Sequence, residues 1–154
     1  MTLATTNTQR LIIVSLMCIL GAQSSAHASS AKCLVVDDVI VATAIQWRGP
    51  CANGMANGSG AILYTNDGVS AGTFYGTVKN GKPQLGVYDM LEGYRIVAIG
   101  WDADDPQHAH ISDDAFAAAS SAARALSVTY TAQHNTTSAA YYRKAAEQLN
   151  MALE

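Results

Sequence analysis

The chain has little charge and only a short apolar run, and each shortage excludes a class of function. Lys and Arg number 9 against 12 Asp and Glu, giving a formal net charge of −3, and the basic residues form no stripe. Because nucleic-acid-binding surfaces need clustered positive charge, nucleic acid is not expected as a partner. The apolar run at residues 11–22 is well short of the ~20 residues that cross a bilayer, so no transmembrane span is expected in the mature chain.

The sequence also lacks the short signatures of common enzymes. It contains no Gly-x-Ser-x-Gly elbow, no phosphate-binding loop and no dinucleotide fingerprint. Glu92 and Glu147 are far apart along the chain, and His134 stands alone in a predicted turn, so neither indicates acid–base catalysis. We therefore expect a protein that is not an enzyme and that carries no cofactor.

The first 28 residues predict a secretory signal peptide. Arg10 precedes the apolar run at 11–22, and Ala26-His27-Ala28 supplies a small-x-small cleavage signal. Cleavage near Ala28 leaves residues 29–154 as a mature protein in the periplasm or outside the cell. An uncleaved membrane anchor is the alternative interpretation.

Export determines what the cysteines are expected to do. Cys18 leaves with the signal peptide, so Cys33 and Cys51 are the cysteines of the mature chain. Two cysteines in an oxidising compartment predict one disulfide, and a ring of about 18 residues stabilises by about 3 kcal/mol. A free catalytic thiol is the alternative.

The mature chain predicts one α+β domain, residues 29–154, with a β part at 33–101 and a helical part at 112–154. Residues 33–47 are rich in Val and Ile and predict strand, with a turn at Asp37-Asp38. Strand-like pieces at 61–64, 72–78, 85–90 and 94–101 then follow, in a region rich in turn dipeptides. These dipeptides are Asn53-Gly54, Asn57-Gly58, Asp67-Gly68 and Asn80-Gly81. Because such pairs supply the positive φ angles of tight hairpins, the pattern predicts an antiparallel β-meander.

The region from Ser112 onward predicts a helical hairpin. Ser112 is a suitable N-cap, and Asp113 and Asp114 place negative charge in the first turn, where the helix dipole favours it. Apolar residues recur at helical spacing in two groups: Phe116, Ala119, Ala123, Leu126, Tyr130, and then Tyr142, Ala146, Leu149, Leu153. The β-branched stretch at 126–132 could instead end the first helix early or form a strand.

The stretch WRGPCANGMANGSGAILY, from Trp47, resembles a MORN repeat. Its glycines at 49, 54, 58 and 60 match that pattern, which runs from aromatic-x-Gly through an Asn-Gly turn to Gly-x-Gly and an apolar strand. A second copy begins at Phe74 with Gly76 and Gly81 at the same spacings, although Gly86 comes one residue late. A third copy at Gly93 keeps little of the pattern. The resemblance covers about residues 47–91.

This resemblance implies a stack of hairpins and a binding role. Hairpins of this kind cannot bury their apolar faces alone, so neighbours share a core and the ends need caps. We read the Cys33–Cys51 bridge as such a cap. The function expected is that of an exported, periplasmic, non-catalytic binding protein whose partner is an unknown protein or envelope component. The candidate contact residues are aromatic, with core packing as their alternative role: Trp47, Tyr64, Phe74, Tyr75 and Tyr88.

The polar segment at residues 101–114 supports two rival functions weakly. Asp102 and Asp104 resemble ligands of a calcium loop, and His108 with His110 could bind zinc, which would suit a small metal-dependent hydrolase. The spacing lacks the glycine and the closing glutamate of an EF-hand, so we expect a solvated loop without metal. Small size, one disulfide and a signal peptide are also compatible with an inhibitor or immunity-type protein that blocks an envelope enzyme.

Overall fold

Among the residues that the structure describes, five antiparallel strands form a meander and two helices follow it. The computed structural model describes residues 32–98 and 111–152. The strands are β1 Ala44–Arg48, β2 Cys51–Ala52, β3 Met55–Ala56, β4 Gly58–Asn66, β5 Val69–Lys79, β6 Lys82–Met90 and β7 Gly93–Ala98, and the helices are α1 Ile111–Ala132 and α2 Thr136–Met151. The main sheet has the order β1-β4-β5-β6-β7, while β2 and β3 form a small separate hairpin. The α+β class, the meander and the helical hairpin are as predicted.

Three of the four predicted turn dipeptides close hairpins. In each, the first residue has φ between 49° and 51° and the glycine between 75° and 83°; the pairs are Asn53-Gly54, Asp67-Gly68 and Asn80-Gly81. Positive φ at both positions matches the right-handed twist of the flanking strands. The sequence pattern therefore fixed these reversals locally.

The fourth predicted turn, at Asn57-Gly58, is wrong. Asn57 does not have a positive φ, and Gly58 is already the first residue of β4. Instead, Asn57 joins neighbouring segments: its N–H donates to Pro50 O at 3.1 Å, and its side-chain oxygen accepts from Asn80 N at 3.3 Å. Long-range hydrogen bonds replace the local reversal that the dipeptide favours.

The helical hairpin follows the predicted apolar stripes as far as Leu149, and the last predicted position, Leu153, lies outside the described residues. α1 begins at Ile111, so Ser112 lies inside the first turn rather than at the predicted N-cap position, while Asp113 and Asp114 occupy that turn as expected. The β-branched stretch stays helical to Ala132 because Tyr130 stacks on Tyr142 of α2, with ring centroids 5.4 Å apart. Packing here outweighs a modest intrinsic propensity.

The turn between the helices depends on two polar residues. His134 is exposed with φ 58°, and the side chain of Asn135 caps α2 by accepting from Ser138 N at 3.0 Å. The two helices are joined further along by Ser120 Oγ, which donates to Ala146 O at 3.0 Å. His134 is therefore a turn residue, as expected.

Both faces of the sheet are covered. On one face Tyr75 and Val87 pack against α1 and α2. On the other face Ile62, Phe74 and Tyr88 pack under residues 33–42, which we call the strap. Alternate side chains along one strand therefore enter two different cores.

The prediction of strand at 33–47, with a turn at Asp37-Asp38, is wrong for the strap. Only Ala44–Arg48 is strand, and the strap crosses the sheet with one isolated parallel bridge, from Leu34 to Met55. Its backbone is bonded instead to hairpin turns: Leu34 N donates to Gly54 O and Val36 N to Gly81 O, both at 2.8 Å. The Cys33–Cys51 disulfide ties its start to β2, with the Cα atoms 5.8 Å apart, as predicted.

Glycines form a row across the three central strands, where aromatic rings cover them. Gly60 pairs with Gly76, and Gly76 pairs with Gly86. A Cβ on either Gly76 or Gly86 would come within 2.8 Å of Phe74 Cζ, and a Cβ on Gly60 within 2.7 Å of Trp47 Cη2. The glycines are needed because these rings lie flat on the backbone.

The two predicted repeat copies occupy equivalent places. In each, an aromatic residue two positions before a glycine covers a pair of glycines on adjacent chain segments: Trp47 over Gly49 and Gly60, Phe74 over Gly76 and Gly86. Gly86 thus corresponds to Gly60, and not to Gly58 as the linear spacing suggested. The mismatch arises because the segment from Gly49 to Gly60 in the first copy is one residue longer than the segment from Gly76 to Gly86 in the second.

Candidate functional site

The five aromatic residues predicted as a contact surface are core residues. Their exposed fractions are all between 0% and 8%, for Trp47, Tyr64, Phe74, Tyr75 and Tyr88. The helices cover Tyr75 and the strap covers the other four. The expectation of an exposed aromatic surface is therefore wrong, and the alternative role in the core is the one observed.

The predicted metal candidates Asp102, Asp104, His108 and His110 lie outside the described residues. Within residues 32–98 and 111–152, no group of three or more His, Cys, Asp or Glu side chains could hold a metal ion. The repeat glycines, in contrast, are all described. Gly54 and Gly81 lie in turns, and the others are positioned as above or, for Gly58, at the start of β4.

Asp37 of the strap is bonded to two buried tyrosines, an arrangement that the sequence did not predict. One carboxylate oxygen accepts from the hydroxyls of both Tyr64 and Tyr88, the latter at 2.5 Å. The other oxygen accepts from Val39 N at 3.2 Å. Burial, and then the hydrogen bond to Asp37, raise the pKa of both tyrosines above the ordinary value, so both remain protonated donors. We call this cluster the Asp37 latch.

The Asp37 latch is a contact between the strap and the sheet. Three donors satisfy the carboxylate of Asp37. The cleft of about 570 Å³ beside it is lined by strap residues, Asp37 among them, and by Lys82, Pro83, Tyr88 and Val97. The polar groups of the latch in this cleft are already hydrogen-bonded to one another, and these bonds hold the strap on the sheet.

In the described part of the chain, β1 is an edge strand of the sheet that is paired on one side only. β1 pairs with β4 on one side, and among the described residues no strand pairs with its other side. An open edge presents unpaired N–H and C=O groups that can accept another strand. The opposite edge strand, β7, likewise pairs on one side only among the described residues, and the residues that follow it, 99–110, lie outside them.

A groove of about 640 Å³ lies between the C-terminal end of β1 and α1. Arg48 and Pro50 form its strand wall, and Leu126, Thr129 and Tyr130 of α1 form its helix wall. Behind Tyr130 lies stacked Tyr142, whose pKa is raised to about 12, chiefly by burial, although the positive charge of Arg48 acts to lower it. This groove, the helix-side groove, combines aromatic and aliphatic side chains with the polar residues Ser59, Thr129 and Gln133 and with the cation Arg48.

A smaller groove of about 240 Å³ flanks β1 on the strap side. It is lined by Lys32, the Cys33–Cys51 disulfide and the β1 residues Ile45, Gln46 and Trp47. Trp47 is fixed by its indole N–H, which donates to Pro50 O at 2.8 Å. We call this the strap-side groove.

An open edge between two grooves has the geometry for strand addition. An extended segment paired with β1 would direct alternate side chains into the helix-side groove and the strap-side groove. Backbone hydrogen bonds would supply affinity and the grooves specificity. The sequence could not reveal this site, because its walls come from β1, α1 and the strap, which are far apart in the chain.

No family model, no curated protein and no solved structure matches the chain. Neither α1 nor α2, the helices in the described part of the chain, combines the length and apolar character needed to cross a bilayer.

Proposed function

We propose that the chain is an exported, periplasmic, non-catalytic binding protein that takes up an extended segment of its partner along β1. The observation that carries this proposal is that helices and strap cover both sheet faces, while no strand in the described part of the chain pairs with the outer side of β1, which is flanked by two grooves. The hairpins that resemble MORN repeats then form the frame of the site rather than its contact surface.

Export is supported by the signal-peptide pattern at residues 1–28 and by the disulfide. A Cys33–Cys51 bridge is stable in the oxidising periplasm and is rare in the reducing cytosol. By linking the strap to the β2–β3 hairpin, the bridge also fixes one wall of the strap-side groove.

Photo-crosslinking in cells tests the proposed surface. Gln46 is exposed at the centre of β1, so a photoreactive amino acid there should give one discrete cross-linked product. Leu91, 93% exposed in the turn at the opposite end of the strand order, is the matched control position and should give none. Equal yields at the two positions, or no product at Gln46, would contradict the proposal.

A further inference from the structure

We infer that the segment bound along β1 is acidic, with a carboxylate placed at the Arg48 end of the strand. This inference rests on the proposed function and adds the chemistry of the partner. It follows from the charges along the two grooves and from the incomplete pairing of Arg48.

Arg48 has unused capacity to bind a carboxylate. Its guanidinium carries five N–H donors, and the one hydrogen bond that it donates within the described residues goes to Gln46 Oε1, at 2.8 Å. The side chain is partly buried between β1 and the helix-side groove, where a charge interaction is screened less than at an open surface. A carboxylate is the ligand that matches this planar fork in two parallel hydrogen bonds.

Both grooves carry positive charge without a described acidic residue in their walls. Arg48 lines the helix-side groove and Lys32 the strap-side groove. Asp67 lies beyond the other end of β1, where its backbone N–H donates to Thr43 Oγ1 at 3.0 Å. The strand is therefore positive towards Arg48 and not towards Ala44, which gives the bound segment a preferred direction.

A second copy of the chain fits this edge less well than an acidic peptide. Antiparallel pairing of two β1 strands about Gln46 would place each Arg48 opposite Ala44 of the other copy. The β1 strand of a second copy, Ala44–Arg48, carries no carboxylate that could pair with Arg48. An acidic heterologous segment supplies that carboxylate and is therefore the better occupant.

Selection from a random peptide library tests this inference. Nine-residue peptides selected on the wild-type protein should be enriched in Asp or Glu and in β-branched residues. Arg48→Glu should weaken the selected peptides by about tenfold or more, since it replaces attraction by repulsion at the same place. Arg95→Glu, the same change on β7 at the opposite edge of the sheet, should leave their affinity within about twofold.

A charge-swap peptide keeps the test independent of any loss of folding. Replacing the critical acidic residue of the peptide by Lys should abolish binding to the wild-type protein and restore it to Arg48→Glu. Failure of that rescue in a folded variant, judged by circular dichroism, overturns the inference. Sedimentation of the free protein as a dimer that Arg48→Glu dissociates overturns it as well, because a second copy would then occupy β1.

The outcomes separate the inference from the function beneath it. Selected peptides that block cross-linking at Gln46 but carry no carboxylate overturn the acidic chemistry and leave the β1 site intact. Selected peptides that bind without blocking cross-linking at Gln46 overturn the proposed β1 site itself.

Discussion

Gly76→Ala should destabilise the protein strongly, because the glycine row leaves no room for a side chain. A Cβ at position 76 would lie 2.7 Å from Gly86 Cα and 2.8 Å from Phe74 Cζ, and closer still to the carbonyl oxygen of Leu85. Phe74 has no exposed surface and cannot swing away, and the backbone of β6 can move only by breaking its pairing with β5. The clash can therefore be relieved only by displacing core side chains or by breaking hydrogen bonds between β5 and β6.

Two effects set the size of the loss. Overpacking a well-packed core typically costs about 1–3 kcal/mol. Residue 76 also has φ +152°, and a side chain at positive φ adds about 1 kcal/mol of backbone strain. We expect a loss of about 2–4 kcal/mol, a large part of the roughly 5–15 kcal/mol by which domains are stable.

Urea unfolding followed by circular dichroism measures this loss against a matched variant. Gly68→Ala has φ +83° but no atom within 4 Å of the new Cβ, so it should lose only about 1 kcal/mol through backbone strain. Equal losses in the two variants would refute the packing argument, since strain alone would then explain both.

Three further variants test the strap and the sheet. Asp37→Asn should lower the free energy of unfolding in urea by about 1.5–3 kcal/mol, because charge-assisted hydrogen bonds to two tyrosines are weakened. The control Asp38→Asn changes an exposed neighbour and should alter stability by less than about 0.5 kcal/mol. Equal effects of the two substitutions would contradict the role of the latch. Burial raises the pKa of Asp89, so its ionised form destabilises the fold above that pKa. Asp89→Asn should therefore raise the free energy of unfolding by up to about 1 kcal/mol at pH 7, and this gain should vanish as the pH falls through the pKa. A difference in stability that does not depend on pH would contradict this prediction. Replacing Cys33 and Cys51 by Ser should cost about 3 kcal/mol and remove the response of the melting temperature to dithiothreitol, and an unchanged response would contradict the bridge.

Local signals in the sequence predicted most of the fold. Asn-Gly and Asp-Gly pairs specify backbone angles by themselves, so three hairpins followed directly from them. The helical stripe from Phe116 to Tyr130 succeeded because one period describes one buried face. Asn57-Gly58 failed because hydrogen bonds to Pro50 and Asn80, distant in sequence, decided its conformation.

The site was beyond local signals, although two clues were present. Phe74 and Tyr75 are consecutive large residues on opposite faces of β5, and such a pair indicates a strand buried on both sides, as observed. Asp37 stands within a run of valines, where a carboxylate is costly to bury unless it is paired. Neither clue indicates which chain segment covers the sheet, because the position of the strap depends on contacts with turns about 20 to 45 residues away in the sequence.

Hydrogen exchange of the free protein tests most directly whether β1 is an open edge. In an antiparallel edge strand alternate amides point outward, so two or three of the amides in Ala44–Arg48 should exchange close to the rate of an unfolded chain. The amides of β5, which is paired on both sides, should be strongly protected under the same conditions. If every β1 amide is protected as strongly as those of β5, another segment or another copy already covers the edge, and the proposed binding site does not exist.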